Sequence, residues 1–202
     1  MTITRTSIVT NAALGATYTP DSGANRYVLL FAQSDTDLSY SAVSINSVAM
    51  TLLQDDTNHT AHTQVWGLVI PDAWSGAKTI TSTGSAAKHS WASFAGVNPS
   101  TPVYDSQKDG SGSSTDTTAT VTINGIVGGY IQGAIALTST YTPTKGANQT
   151  SDWAVNNFGT SYYTTVTTAA LTFSYTFTGS RNSMVAVSLN PSIPFIPQII
   201  VS

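Results

Sequence analysis

Apolar residues along this 202-residue chain fall into short runs, cut by Gly, Pro, Asn and Ser. No stretch of ten residues or more follows a 3.6-residue period. The cleanest pattern lies at 170–178, where Leu171, Phe173, Tyr175 and Phe177 alternate with Thr172, Ser174, Thr176 and Thr178. Such alternation predicts a strand with one face on a core and the other toward water. Segments 26–32 and 64–70 are apolar at nearly every position, which predicts central strands covered on both sides. Segment 91–105 begins in the same way, breaks at Gly96 and turns through Asn98-Pro99-Ser100-Thr101-Pro102. Each Pro removes a backbone donor and fixes φ, so the chain must leave its sheet there and re-enter near Val103.

The remaining pattern fills in the order. Segment 4–10 reads as an edge strand and 43–53 as a hairpin turning at Asn46-Ser47. Segment 54–61 reads as a polar loop, 78–83 as a Thr-rich strand and 106–116 as a flexible loop. Segment 117–123 alternates as a half-buried strand. Asn124-Gly125, the strongest two-residue turn signal, leads into 127–137. Strands are also expected at 151–157 and 162–168. The strand at 184–189 closes the core with Val185, Val187 and Leu189 inward. No internal repeat stands out. The expectation is an all-β protein, an antiparallel sandwich formed as one domain over 1–190.

The tail, 191–202, is a separate matter. Pro191, Pro194 and Pro197 bar a helix or a fully paired strand. Ile193, Phe195, Ile196, Ile199, Ile200 and Val201 lie between and after them. An apolar arm of this kind needs a cover, and extended Pro-rich arms suit docking onto another chain. The arm could fold back over its own sandwich; the expectation is that it reaches another chain, which makes these residues the expected partner interface.

Composition narrows the function classes. Charged residues make up 8% of the chain, against about 25% in ordinary soluble domains. Ser and Thr take over the polar surface, which suits packing against copies or partners. The net charge of −3 gives no reason to expect nucleic-acid binding. The chain has no Cys, so disulfides and thiolate metal sites are excluded. No apolar run approaches a membrane span, and the first residues lack the apolar core of a secretory signal.

Candidate chemistry is thin. His59 and His62 are three apart, but their segment reads as a loop and no third zinc ligand stands near. Asp35, Asp37, Asp55 and Asp56 could offer oxygen to calcium or form a glycosidase pair, yet no alternating ligand loop with a turn Gly is present. His89-Ser90 lacks a nucleophile elbow. Gly110-Ser111-Gly112 does not precede a helix, so it is no phosphate loop. Trp66 and Trp91 lie in apolar strands and are expected in the core. Trp74 and Trp153 are the candidate sugar platforms. No catalytic residue, cofactor or metal is assigned, and the expectation is a non-enzyme.

The order of several pieces resembles a jelly-roll-like module of phage virion proteins and bacterial surface proteins. The matching elements are Asn25-Arg26-Tyr27-Val28-Leu29-Leu30, the 43–53 hairpin with Met50-Thr51-Leu52, and Val65-Trp66-Gly67-Leu68 running into Pro71. Ser93-Phe94-Ala95-Gly96-Val97-Asn98 followed by Thr101-Pro102-Val103-Tyr104-Asp105 is the most specific, and 184–189 before Asn190-Pro191 also fits. The sequence departs from the pattern at Asn46-Ser47, where a Gly pair is usual, and 140–163 looks like an elaboration. The resemblance implies a lectin-like sandwich used for attachment, decoration or display. With the absent secretory signal and the low charge, the expectation is a virion protein that decorates or cements a capsid exterior, assembled in the host cytoplasm and released by lysis. Its expected partners are the major capsid protein or another virion protein and further copies of itself. A carbohydrate-binding adhesin that takes a host glycan is the alternative.

Overall fold

A computed structural model describes residues 2–12, 17–20, 22–86, 88–110, 112–163, 166 and 169–192. The first half of the chain forms β1 (Thr4–Ala12), β2 (Thr17–Tyr18), β3 (Tyr27–Ser34), β4 (Tyr40–Ile45), β5 (Val48–Ala49), β6 (Thr51–Asn58), β7 (Ala61–Val69), β8 (Lys78–Gly84) and β9 (Lys88–Ala95). The second half forms β10 (Val103–Asp109), β11 (Thr118–Asn124), β12 (Tyr130–Leu137), β13 (Thr144–Lys145), β14 (Gln149–Val155), β15 (Phe158–Tyr163), β16 (Ala170–Thr176) and β17 (Asn182–Leu189). All pairings between them are antiparallel. The all-β antiparallel sandwich expected from the pattern is what the chain forms.

The strands make four sheets, in the orders β2-β8-β4-β5, β1-β9-β3-β7-β6, β10-β17-β12-β15-β14 and β11-β16-β13. Three apolar layers join them in that sequence. Val28, Leu30, Tyr40, Val43, Ile45, Trp66 and Trp91 fill the first, between the outer and inner sheets of the first half. Tyr27, Leu29, Phe31, Val65 and Phe94 meet Tyr130, Ala134, Val185, Val187 and Leu189 in the second, between the two inner sheets. Ile131, Ile135, Met184 and Ala186 meet Val121, Ile123, Phe173 and Tyr175 in the third.

The stack explains the uninterrupted apolar runs. β3, β12 and β17 are buried at all eight positions because successive side chains enter different layers. The strand at 184–189 was expected to bury one face. It buries two, since Met184 and Ala186 face the outer sheet while Val185, Val187 and Leu189 face the other half.

Both halves have the same wiring. Apart from the two-residue β5, strands β1 to β9 and β10 to β17 correspond one to one. The first, third, fifth, sixth and last strands of each half form its inner sheet in the same order, and the other three form its outer sheet in the same order. The turn at Asn98–Pro102 is where one half passes into the next. Its sequence, Asn98-Pro99-Ser100-Thr101-Pro102-Val103, follows β9 as Asn190-Pro191-Ser192-Ile193-Pro194-Phe195 follows β17. The two motifs touch: Asn98 N donates to Asn190 O at 2.8 Å, and Val97 and Pro191 form a β-bridge.

Other expectations change for physical reasons. Segment 54–61 is not a loop. β6 runs to Asn58 as an edge strand, and its polar side chains face solvent and the boundary between halves. Segment 106–116 is strand as far as Asp109, through pairing of β10 with β17. Asn124-Gly125 closes no hairpin, because β11 pairs with β16 and β12 with β15 and β17, in another sheet. Segment 140–163 supplies β13, β14 and β15, members of the second half's sheets. The turn at Asn46-Ser47 is as expected, with φ of 50° and 65°, the doubly left-handed geometry of a tight hairpin.

Candidate functional site

The strongest concentration of polar chemistry lies along the seam between the inner sheets. Edge strand β1 of the first half contacts edge strand β14 of the second, and β10 of the second contacts β6 of the first. Each half thus offers its first strand to the other's fifth, a reciprocal arrangement like that of a twofold dimer.

At one end of the seam the Arg5 guanidinium pairs with the Asp152 carboxylate and lies over the Tyr162 ring, 3.9 Å from its centroid. Gln132 Nε2 donates to the other oxygen of Asp152. Burial pushes the Asp152 carboxyl above its usual range, and Arg5 and Gln132 hold it back. Burial acts against the Arg5 charge too, but Asp152 outweighs it and its pKa is raised. At the other end Lys108 Nζ donates to Asp55 O at 2.6 Å. Between the ends, Gln33 Nε2 donates to Ile135 O and Gly159 O, Thr63 Oγ1 to Ser183 O, and Ser183 Oγ to Asp56 O. Met184 N donates to Asp56 Oδ2 at 2.8 Å. Burial raises the Asp56 carboxyl to about 6, against the pull of these donors and of Lys108.

His62, placed in a loop by the sequence reading, sits in β7 and is buried. Its ring joins Asp37 at 3.2 Å through Nδ1 and Asp55 at 2.6 Å through Nε2. Alternation of polar and apolar residues could not reveal this, since the carboxylates come from a loop and the neighbouring strand. His59 occupies the turn before β7 with a φ of 59°. His89 stacks on Trp91 and lies 3.5 Å from the Tyr40 hydroxyl. Ser90 is buried on the same strand. Among the described residues, no three His, Asp or Glu side chains gather where they could hold a metal.

The candidate sugar platforms are both half-buried. Trp74 packs against the first layer, and its carbonyl accepts from Arg26 Nη1. Trp153 packs against Ala61, Ala136 and Phe158. A shallow groove of about 380 Å³ lies elsewhere, beside Asn148, Tyr163, Leu171 and Thr172. Trp66 and Trp91 are core residues, as expected.

Of the expected partner interface, Pro191 bridges Val97 at the exit of β17, and Ser192 N donates to Gly96 O. Ile193, Pro194, Phe195, Ile196, Pro197, Ile199, Ile200 and Val201 lie outside the described residues. The outermost faces of the stack carry hydroxyls: Thr118, Thr120, Thr122, Thr172 and Thr176 at one end, and Ser41, Thr79, Thr81 and Thr83 at the other, are exposed.

No family model matches the chain, and no curated protein and no solved structure matches it.

Proposed function

We propose that the protein is a non-enzymatic structural component of a phage particle, which decorates or cements the capsid exterior. The observation that carries this reading is the wiring. Counted within each half, the inner order is first-last-third-sixth-fifth and the outer order second-seventh-fourth, which we read as a variant jelly roll with its fifth strand moved to the inner sheet, a form related to those of viral capsid and lectin domains. Two such units share an apolar layer, and hydroxyl-rich faces look outward from both ends. That construction suits a rigid piece that packs among other proteins. The apolar tail 193–202 is the arm that docks on a neighbouring copy or on the shell, and the adhesin is the alternative.

The test is quantitative mass spectrometry of purified virions. A decoration or cement protein is present at capsid-scale copy number, and a version ending at Ser192 stays folded but fails to join particles. Absence from virions overturns the reading. Low copy number together with host-glycan binding replaces it with the adhesin.

A further inference from the structure

The two ends of the seam neutralise their buried carboxylates differently. Asp152 meets a guanidinium. Asp56, on the equivalent fifth strand, is 1% exposed and forms no salt bridge among the described residues. Lys108, on the strand that corresponds to Arg5's, sends its ammonium to the Asp55 carbonyl instead. Asp109 adds a second negative charge nearby.

Two residues before Met184, whose amide binds Asp56, lies a side-chain amide without a partner among the described residues. Asn182, at the start of β17, is fully buried, and among the described residues neither its Oδ1 nor its Nδ2 has a hydrogen-bond partner. An orphaned buried carboxamide costs free energy, so it calls for a ligand. Two glycines after β10, Gly110 and Gly112, stand close to these side chains. A Cβ on the buried Gly112 would stand 2.2 Å from Asn182 Nδ2 and 2.9 Å from Asn58 Nδ2, and one on Gly110 would stand 3.0 Å from Asp56 Oδ1. Asn58 Nδ2 donates to Gly112 O at 2.6 Å. A carboxylate, two carboxamides and a backbone carbonyl therefore border the same two glycines, and no salt bridge among the described residues neutralises the carboxylate.

We propose that this pocket binds a calcium ion. Asp56 and the side-chain oxygens of Asn58 and Asn182 are its protein ligands, together with Gly112 O. Turning the Asn182 and Asn58 amides presents their oxygens, the Asn58 bond to Gly112 O giving way to the ion, and the O and N ends of an amide are interchangeable by that rotation. Calcium takes six to eight oxygen ligands in flexible geometry, so water completes the shell from the exposed Gly110 side. The ion would tie β6 of the first half to β17 and the β10–β11 loop of the second. It would do there what Arg5 does at the opposite end.

The experiment uses the full chain, stripped with a chelator and melted with and without millimolar calcium. Calcium should raise the melting temperature by several degrees, and Asp56→Asn and Asn182→Leu should each abolish the shift. An unchanged melting temperature, or a shift that survives both substitutions, overturns the proposal. If either variant fails to fold, calorimetric titration of calcium into the stripped wild-type chain decides. Binding of one ion per chain supports the site, and no binding shows that the pocket holds water alone.

Discussion

Single residues decide which faces of this stack tolerate charge. Phe173 is fully buried in the third layer, and its neighbour Thr172 is exposed on the outer face. Phe173→Asp should leave the chain unfolded at room temperature, while Thr172→Asp should cost under about 0.5 kcal/mol. Urea melts of the two variants measure the contrast, and equal damage would refute the face assignment. Arg5 poses a subtler case. Arg5→Met keeps bulk over Tyr162 and strands the Asp152 carboxylate, at a cost of about 3 kcal/mol at neutral pH. Without its partner the burial-raised Asp152 carboxyl takes up a proton in the folded state more readily than in the unfolded one. The stability deficit should therefore shrink as the pH falls toward about 4, the range of an unperturbed carboxylate. Chemical denaturation across pH, beside wild type, checks the sign.

Elements obey turn chemistry that can be improved. Asn46 and Ser47 both hold left-handed backbone between β4 and β5, a conformation that Asn tolerates and Ser adopts at a cost. Ser47→Gly should stabilise the protein by about 0.5–1 kcal/mol, read as a rise in melting temperature. The same elements show where local sequence is not decisive. Asn124-Gly125 has the strongest hairpin signature in the chain, yet the strands around it belong to different sheets. A turn signature reports a reversal of the chain and does not say which strands then pair. β6 makes the converse point. Gln54, Asp55 and Asp56 look like loop residues, but an edge strand at a polar seam accommodates all three.

The whole molecule is two sandwiches that share a buried face. Separated at the 98–102 turn, either half would expose an apolar inner sheet, Tyr27, Leu29, Phe31 and Phe94 on one side and Tyr130, Val185, Val187 and Leu189 on the other. Residues 1–97 and 98–202 expressed alone should therefore aggregate or unfold, and expressed together they should copurify as one complex. Copurification followed by sizing checks this. Two stable, non-interacting halves would show that the shared layer is not a core.

Most of the strands and both central runs were legible in the sequence, because alternation and full burial leave a direct imprint on which residues can occupy a position. Leu171 through Phe177 showed its buried face that way, and Pro99 and Pro102 marked the passage between halves. The repeated wiring was not legible. It is written in pairings between strands far apart, such as β1 with β9 and β10 with β17, and hydrogen bonds between backbones name no partner residue. Asn98-Pro99-Ser100 and Asn190-Pro191-Ser192 are too short to stand out as a repeat, and their equivalence emerges once each is seen to follow the last strand of a half. The candidate site was hidden for the same reason. Asp55 and Asp56 were visible as carboxylates, but a strand sends adjacent side chains to opposite faces, so only the packing of β6 against β17 decided that Asp56 is buried against Ser183 and Met184. Sequence determined what each strand could bury, and tertiary structure decided what it was buried against.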